Sequence, residues 1–129
     1  MKFTIVFCLL ALSAFEIIHA DELDSLSLQS QTDIDNYLAL RRKEVEDSAA
    51  AAQMKEKNTE DCENKFNNPL NVVLKQVYNE LQRCYDDYRK TDKPANLQST
   101  KECSAKIIKK LKSKTNKLVE DAHTCFGKL

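Results

Sequence analysis

Glycine occurs once in this 129-residue chain, at Gly127, proline twice, at Pro69 and Pro94, and tryptophan not at all. With so little of the residue chemistry that tight hairpin turns need, the sequence argues against a β-rich fold and for helices. No glycine-rich phosphate loop can be built from a single terminal glycine. Long apolar runs are also missing. The only candidate, Phe3 to Leu12, is too short to span a bilayer, and nothing downstream offers the ~20 apolar residues of a transmembrane helix.

What stands at the N-terminus instead has the layout of an export signal. Met1 and Lys2 precede the apolar run, and Ser13, Ala14 and the Ile18-His19-Ala20 end supply small residues for a cut after Ala20. The expected division is a signal peptide over 1–20, a flexible segment over 21–31 and one helical domain over 32–129. Removing the leader takes Cys8 with it and leaves Cys62, Cys84, Cys103 and Cys125, an even set that suits an oxidising, extracellular compartment. The remaining chain is highly charged, and a core that lean usually needs covalent staples.

Three stretches show helical periodicity. In the first, Thr32 or Asp33 is placed to cap a helix with Ile34, Leu38, Val45, Ala49 and Ala52 on one side. A pause is expected at Lys57-Asn58-Thr59, with Asn58 or Thr59 as the next N-cap and Glu60, Asp61 and Glu63 in the first turn, where acids are favoured. The second helix carries Cys62, Phe66, Leu70, Val73, Val77, Leu81, Cys84 and Tyr88 in phase across Pro69, where a kink or brief break is expected. Thr91 to Asn96, with Pro94, reads as a turn. The third helix then presents Cys103, Ile107, Leu111, Leu118, Ala122 and Cys125 on one face, with Gly127 as its stop.

Cysteine spacing turns these helices into an architecture. Cys62 to Cys84 and Cys103 to Cys125 are each 22 residues apart, so the two cysteines of an arm share a face but lie about 33 Å apart along a straight helix. A disulfide needs Cα atoms within ~7 Å, so no bridge forms within an arm. Folding the arms about the Thr91 to Asn96 turn pairs Cys84 with Cys103 near the turn and Cys62 with Cys125 at the far end. Of the three possible connectivities, only this nested one fits two unbroken antiparallel helices. The predicted fold is therefore all-α: an antiparallel bundle of about three helices, in which a long hairpin stapled by two disulfides carries an N-terminal helix held by packing alone.

Signals for chemistry are few. One histidine, His123, survives in the mature chain, which excludes a two-histidine zinc site, and disulfide-bonded cysteines cannot serve as thiolate ligands. His123 and Cys125 are two residues apart and do not face each other on a helix. Asp33-Ile34-Asp35-Asn36 opens like a calcium loop but lacks the turn glycine and the closing glutamate, so helix capping is its expected role. Glu60-Asp61-Glu63 and Asp86-Asp87 read as solvated carboxylates. No catalytic constellation, metal site or cofactor is expected.

Two patterns suggest binding. Asp21 to Lys65 holds 12 acids against 6 bases, whereas Phe66 to Leu129 holds 7 acids against 13 bases. Most of that positive excess sits on helix three, at Lys101, Lys106, Lys109, Lys110, Lys112, Lys114 and Lys117. This face is read either as a solvated complement to the acidic first helix or as a site for an anionic surface. Nucleic acid is not an expected partner, because the stretch has no arginine or aromatic interleaving. Separately, Phe66, Val73, Val77, Tyr78, Leu81, Tyr85, Ile107 and Leu111 form an apolar set read either as core or as the lining of an interhelical cavity for a small apolar ligand.

The pattern of Cys62, Cys84, Cys103 and Cys125 in a polar helical background, with Glu80-Leu81-Gln82-Arg83-Cys84, resembles the insect secreted proteins that carry a TsetseEP-type domain. The resemblance covers about Asp33 to Leu129 and implies an exported insect protein with a gut or immune role. The chain has none of the Glu-Pro repeats of the tsetse member. It also lacks the closely spaced C-x-x-x-C element of insect odorant-binding proteins and the six cysteines of saposin-like proteins. The functional expectation is a secreted, non-enzymatic protein that binds an extracellular protein or a small apolar ligand. The alternatives are a membrane-active or host-defence protein using the basic helix, and a passive extracellular or seminal component.

Overall fold

The computed structural model describes residues 2–89 and 96–129, with side chains described from Glu22 onward. It is all-α, with α1 at Lys2–Gln53, α2 at Glu60–Arg89 and α3 at Leu97–Gly127, and no strand among the described residues. The side chains of the expected leader, residue 90 and residues 91–95 of the expected turn lie outside the described residues.

Both disulfides take the nested pairing. Cys62 is bonded to Cys125, with 5.7 Å between Cα atoms, and Cys84 to Cys103, with 6.0 Å. They fasten α2 and α3 as antiparallel arms. Helix α1 lies alongside α3 in the same direction: Tyr37 hydrogen-bonds the Lys112 carbonyl at 3.0 Å, and Ser48 Oγ meets His123 Nδ1 at 2.8 Å. Both contacts join residues 75 apart, so the two helices run parallel and in step over this length.

The buried positions recur every eleven residues on all three helices. Leu23, Ile34 and Val45 repeat on α1, Phe66 with Val77 and Leu70 with Leu81 on α2, and Thr100, Leu111 and Ala122, with Ser104, Thr115 and Phe126, on α3. An eleven-residue period corresponds to about 3.67 residues per turn, so buried faces stay aligned without left-handed supercoiling. The 22-residue cysteine spacing is two such periods.

Several expectations about the elements need correction. The first helix does not begin at Thr32 or Asp33: residues 21–31, expected to be flexible, are helical, with Leu23, Leu26 and Ser30 buried. Thr32 is mid-helix and donates its hydroxyl to the Leu28 carbonyl at 2.9 Å rather than capping. Leu23 stands one eleven-residue period before Ile34, and that spacing carries the buried stripe through this segment. Helix α2 passes through Pro69 without a break. Pro69 is exposed, so the carbonyl one turn back that loses its donor faces water.

The buried face of α3 is wider than expected: Leu111 and Ala122 are buried as the periodicity predicts, and further positions join them. Thr100, Ser104, Thr115, Val119 and Phe126 are buried, whereas Cys103, Ile107, Leu118 and Cys125 are half-buried at its edge. The reason is that α3 is covered from two sides, and the second contact, with α1, uses small and polar side chains.

The connection between α1 and α2 is short and specified locally. Glu56 takes a left-handed conformation with φ 59°, and Lys57 N–H reaches back to the Ala52 carbonyl at 3.2 Å, closing the end of α1. Asn58 Oδ1 accepts the Glu60 N–H at 3.1 Å. The buried Thr59 hydroxyl accepts from Gln53 Nε2 at 2.9 Å and donates to Glu63 Oε2 at 3.1 Å. At the start of α3, Asn96 Oδ1 accepts from Ser99 N–H at 2.7 Å, a side-chain N-cap.

Candidate binding groove between the first and third helices

The apolar set expected to line a cavity divides three ways. Phe66, Val77, Leu81, Tyr85 and Leu111 are buried in the core, Val73 and Ile107 are half-buried against it, and Tyr78 is exposed. Phe66 and Leu111 are 1% and 0% exposed, so this region is filled by its own side chains. Tyr78, Leu81 and Tyr85 do border a cleft of about 210 Å³ between α1 and α2, where Gln31 Nε2 donates to the Tyr78 hydroxyl at 3.1 Å.

A roomier concavity lies elsewhere, between α1 and α3. Its volume is about 560 Å³, and it is lined by Leu26, Gln29, Ser30 and Asp33 from α1 and by Lys101, Ser104, Ala105, Ile108, Lys109 and Lys112 from α3. Side-chain size accounts for it. Further along, Ile34, Leu38 and Leu111 are buried in the core, but here Ser30, Ser104 and Ala105 present little bulk and the helices leave a gap. Sequence reasoning assigned these serines no role, because a helical stripe is traced through its large apolar residues.

The groove is amphipathic in cross-section. Leu26 is buried and Ile108 half-buried at its base, and the Ser104 hydroxyl is already committed to the Lys101 carbonyl at 3.0 Å. Three lysines stand on the rim against one carboxylate, Asp33. One end is fixed by Tyr37, whose hydroxyl donates towards the Lys112 carbonyl and Asn116 Oδ1, while the Lys112 ammonium sits 5.4 Å from the ring centre. Burial raises the Tyr37 hydroxyl pKa above its ordinary 10.0, against the opposing influence of Arg41.

All seven lysines of the expected basic face are exposed. They do not form one patch. Lys101, Lys109 and Lys112 border the groove, Lys110 pairs with Glu80 of α2 at 3.5 Å, and Lys106, Lys114 and Lys117 lie on α3 outside the groove. His123 contacts Ser48 and serves as a strut between α1 and α3.

Among the described residues there is no group of three or more histidine, cysteine or acidic side chains placed to hold a metal ion, and no helix long and apolar enough to cross a membrane. The chain matches no protein-family model, no curated protein and no solved structure.

Proposed function

We propose that the protein is an exported, non-enzymatic binding protein whose ligand site is the groove between α1 and α3. The observation that carries this reading is the groove itself. Its volume of about 560 Å³ falls within the ~300–1,000 Å³ typical of small-molecule sites, and an apolar base with a few polar groups at the rim is the usual composition of such sites. Export is supported by the leader-like sequence over 1–20 and by two disulfides, which suit an oxidising extracellular compartment. The resemblance to TsetseEP-type proteins extends the proposal to an insect protein with a gut or immune role.

The test is mass spectrometry of small molecules released from the natively secreted protein, beside an Ala105→Trp variant that fills the groove. A molecule present in near-equal amount to the protein and absent from the variant is the expected result. A molecule retained equally by both would place binding elsewhere.

A second reading rests on the exposed lysines of α3, which suit an anionic membrane. Each lysine near such a surface contributes about 1 kcal/mol, screened within ~8 Å at physiological salt. Of the apolar residues on this stretch of helix, Leu111 is buried and Ile107 and Ile108 are half-buried against the core, so little apolar surface is available for insertion. This reading therefore expects weak, salt-sensitive adsorption to anionic vesicles without lysis. Efficient dye release by the oxidised protein would favour a host-defence role over the groove. Neither ligand nor vesicle binding would leave a passive extracellular component.

A further inference from the structure

We infer that the groove takes a single-chain anionic amphiphile, with a carboxylate or sulfate head held at the lysine rim and an alkyl chain laid on Leu26, Ala105 and Ile108. The inference rests on the reading of the groove as the ligand site and specifies the chemical class that fills it.

Charge decides the head group. Lys101, Lys109 and Lys112 face the opening against Asp33 alone, so a cationic ligand meets net repulsion and an anion meets net attraction. The excess is structural rather than incidental. Between Glu102 and Glu120, α3 contains no acidic residue, and the facing stretch of α1 contributes one carboxylate to the lining. Lys112 is the best fixed of the three, because its chain is positioned over the Tyr37 ring. An ammonium and an anionic head form the short, charge-assisted hydrogen bonds that neutral head groups cannot match.

The base of the groove decides the tail. Leu26 and Ile108 are apolar, Ala105 leaves open space between them, and the Ser104 hydroxyl is satisfied within α3 and asks nothing of a ligand. Lys101 and Lys112 are eleven residues apart on one helix, about 16 Å at 1.5 Å per residue. An elongated chain lying along the helix axis fits that length, with its head at either end of the rim. A compact inorganic anion leaves the apolar base wet, and a neutral alkane leaves the lysines unused.

Calorimetry on the oxidised, full mature chain tests this with four probes used below their micelle concentrations: dodecanoate, dodecyl sulfate, dodecanol and dodecyltrimethylammonium. The expected result is one-to-one binding of the two anions, weakening as salt rises, with the neutral and cationic probes at least about tenfold weaker. Replacing Lys101, Lys109 and Lys112 together by Gln should remove that preference while leaving helical content unchanged, since Gln and Lys have similar helix propensity. Ala105→Trp should abolish binding of all four. Because Ala105 is exposed, the variant should keep the circular dichroism of the parent, which is checked first.

Equal affinity for dodecanol or dodecyltrimethylammonium would overturn the anionic assignment. If Ala105→Trp still blocked those probes, the groove would stand as the site and only the ligand class would be wrong. Undiminished dodecanoate binding by Ala105→Trp would overturn the groove reading itself. Absence of binding by both anions would also overturn the inference, leaving the groove to be judged by the molecule recovered from the secreted protein.

Discussion

Glu56 holds the left-handed backbone conformation that ends α1, at φ 59°, while the chain's one glycine, Gly127, does not have positive φ. A side chain in that region costs roughly 1–2 kcal/mol, so Glu56→Gly should stabilise the protein by about 1 kcal/mol, seen as a higher urea midpoint. Thr115 presents the opposite situation. It is fully buried and its hydroxyl has no hydrogen-bond partner. Replacing it by Val keeps the shape and removes the unmatched group, with an expected gain of about 1 kcal/mol. An unchanged or lowered midpoint would contradict that account. Tyr37 links residue chemistry to pH. Its folded pKa is raised by burial above the ordinary 10.0, so the fold favours the neutral phenol. That stability is complete below the unfolded value and is lost as pH climbs through the folded one. Tyr37→Phe loses the hydroxyl's bonds to the Lys112 carbonyl and Asn116 and should be less stable at neutral pH, but, with no group to ionise, it should show a shallower decline above pH 10. Parallel denaturation series at neutral and alkaline pH measure the difference.

At the scale of elements, α1 is the helix without a staple. Both disulfides join α2 to α3, and the covalent route from α1 to them runs through the exposed residues Met54 to Asn58, which include Lys55 and Lys57. Trypsin should cut there first. The nicked protein should stay together in native buffer and release α1 in urea without reductant; a need for reductant would contradict attachment by packing. Ile34→Ala, which empties a fully buried site, should cost about 2–5 kcal/mol and loosen α1 while α2 and α3 keep their amide protection. The stapled hairpin was legible in the sequence because cysteines and large apolar residues mark its seam at helical spacing. The N-terminal reach of α1 was not, because Leu23 and Leu26 are separated from Ile34 by a polar stretch in which only Ser30 is buried. Nor was the approach of α1 to α3 beside Ser30 and Ser104, since hydroxyl residues on a helix are ordinarily placed towards solvent.

For the whole molecule, the eleven-residue repeat and the nested disulfides act together. Cysteines two repeats apart fall on the same face of their helix, so both bridges close between the same two faces. The Cys62–Cys125 bridge ties the open end of the hairpin. Replacing both of its cysteines by serine should cost about 2–5 kcal/mol, read by thermal or chemical denaturation, with helical content retained at low temperature. Large side chains fill the interior, and the usable space lies at the edge of the bundle, where α1 meets the basic helix across small residues. That division could not be read from periodicity, because it depends on which helix α1 chooses as its neighbour. The most direct measurement is an NMR titration of the oxidised protein with dodecanoate, following backbone amides. Shifts concentrated at Leu26 to Asp33 and Lys101 to Lys112, with Phe66, Val77 and Leu81 unmoved, are the predicted result. Shifts centred on Phe66, Val77 and Leu81 would contradict the account by placing the ligand inside the bundle.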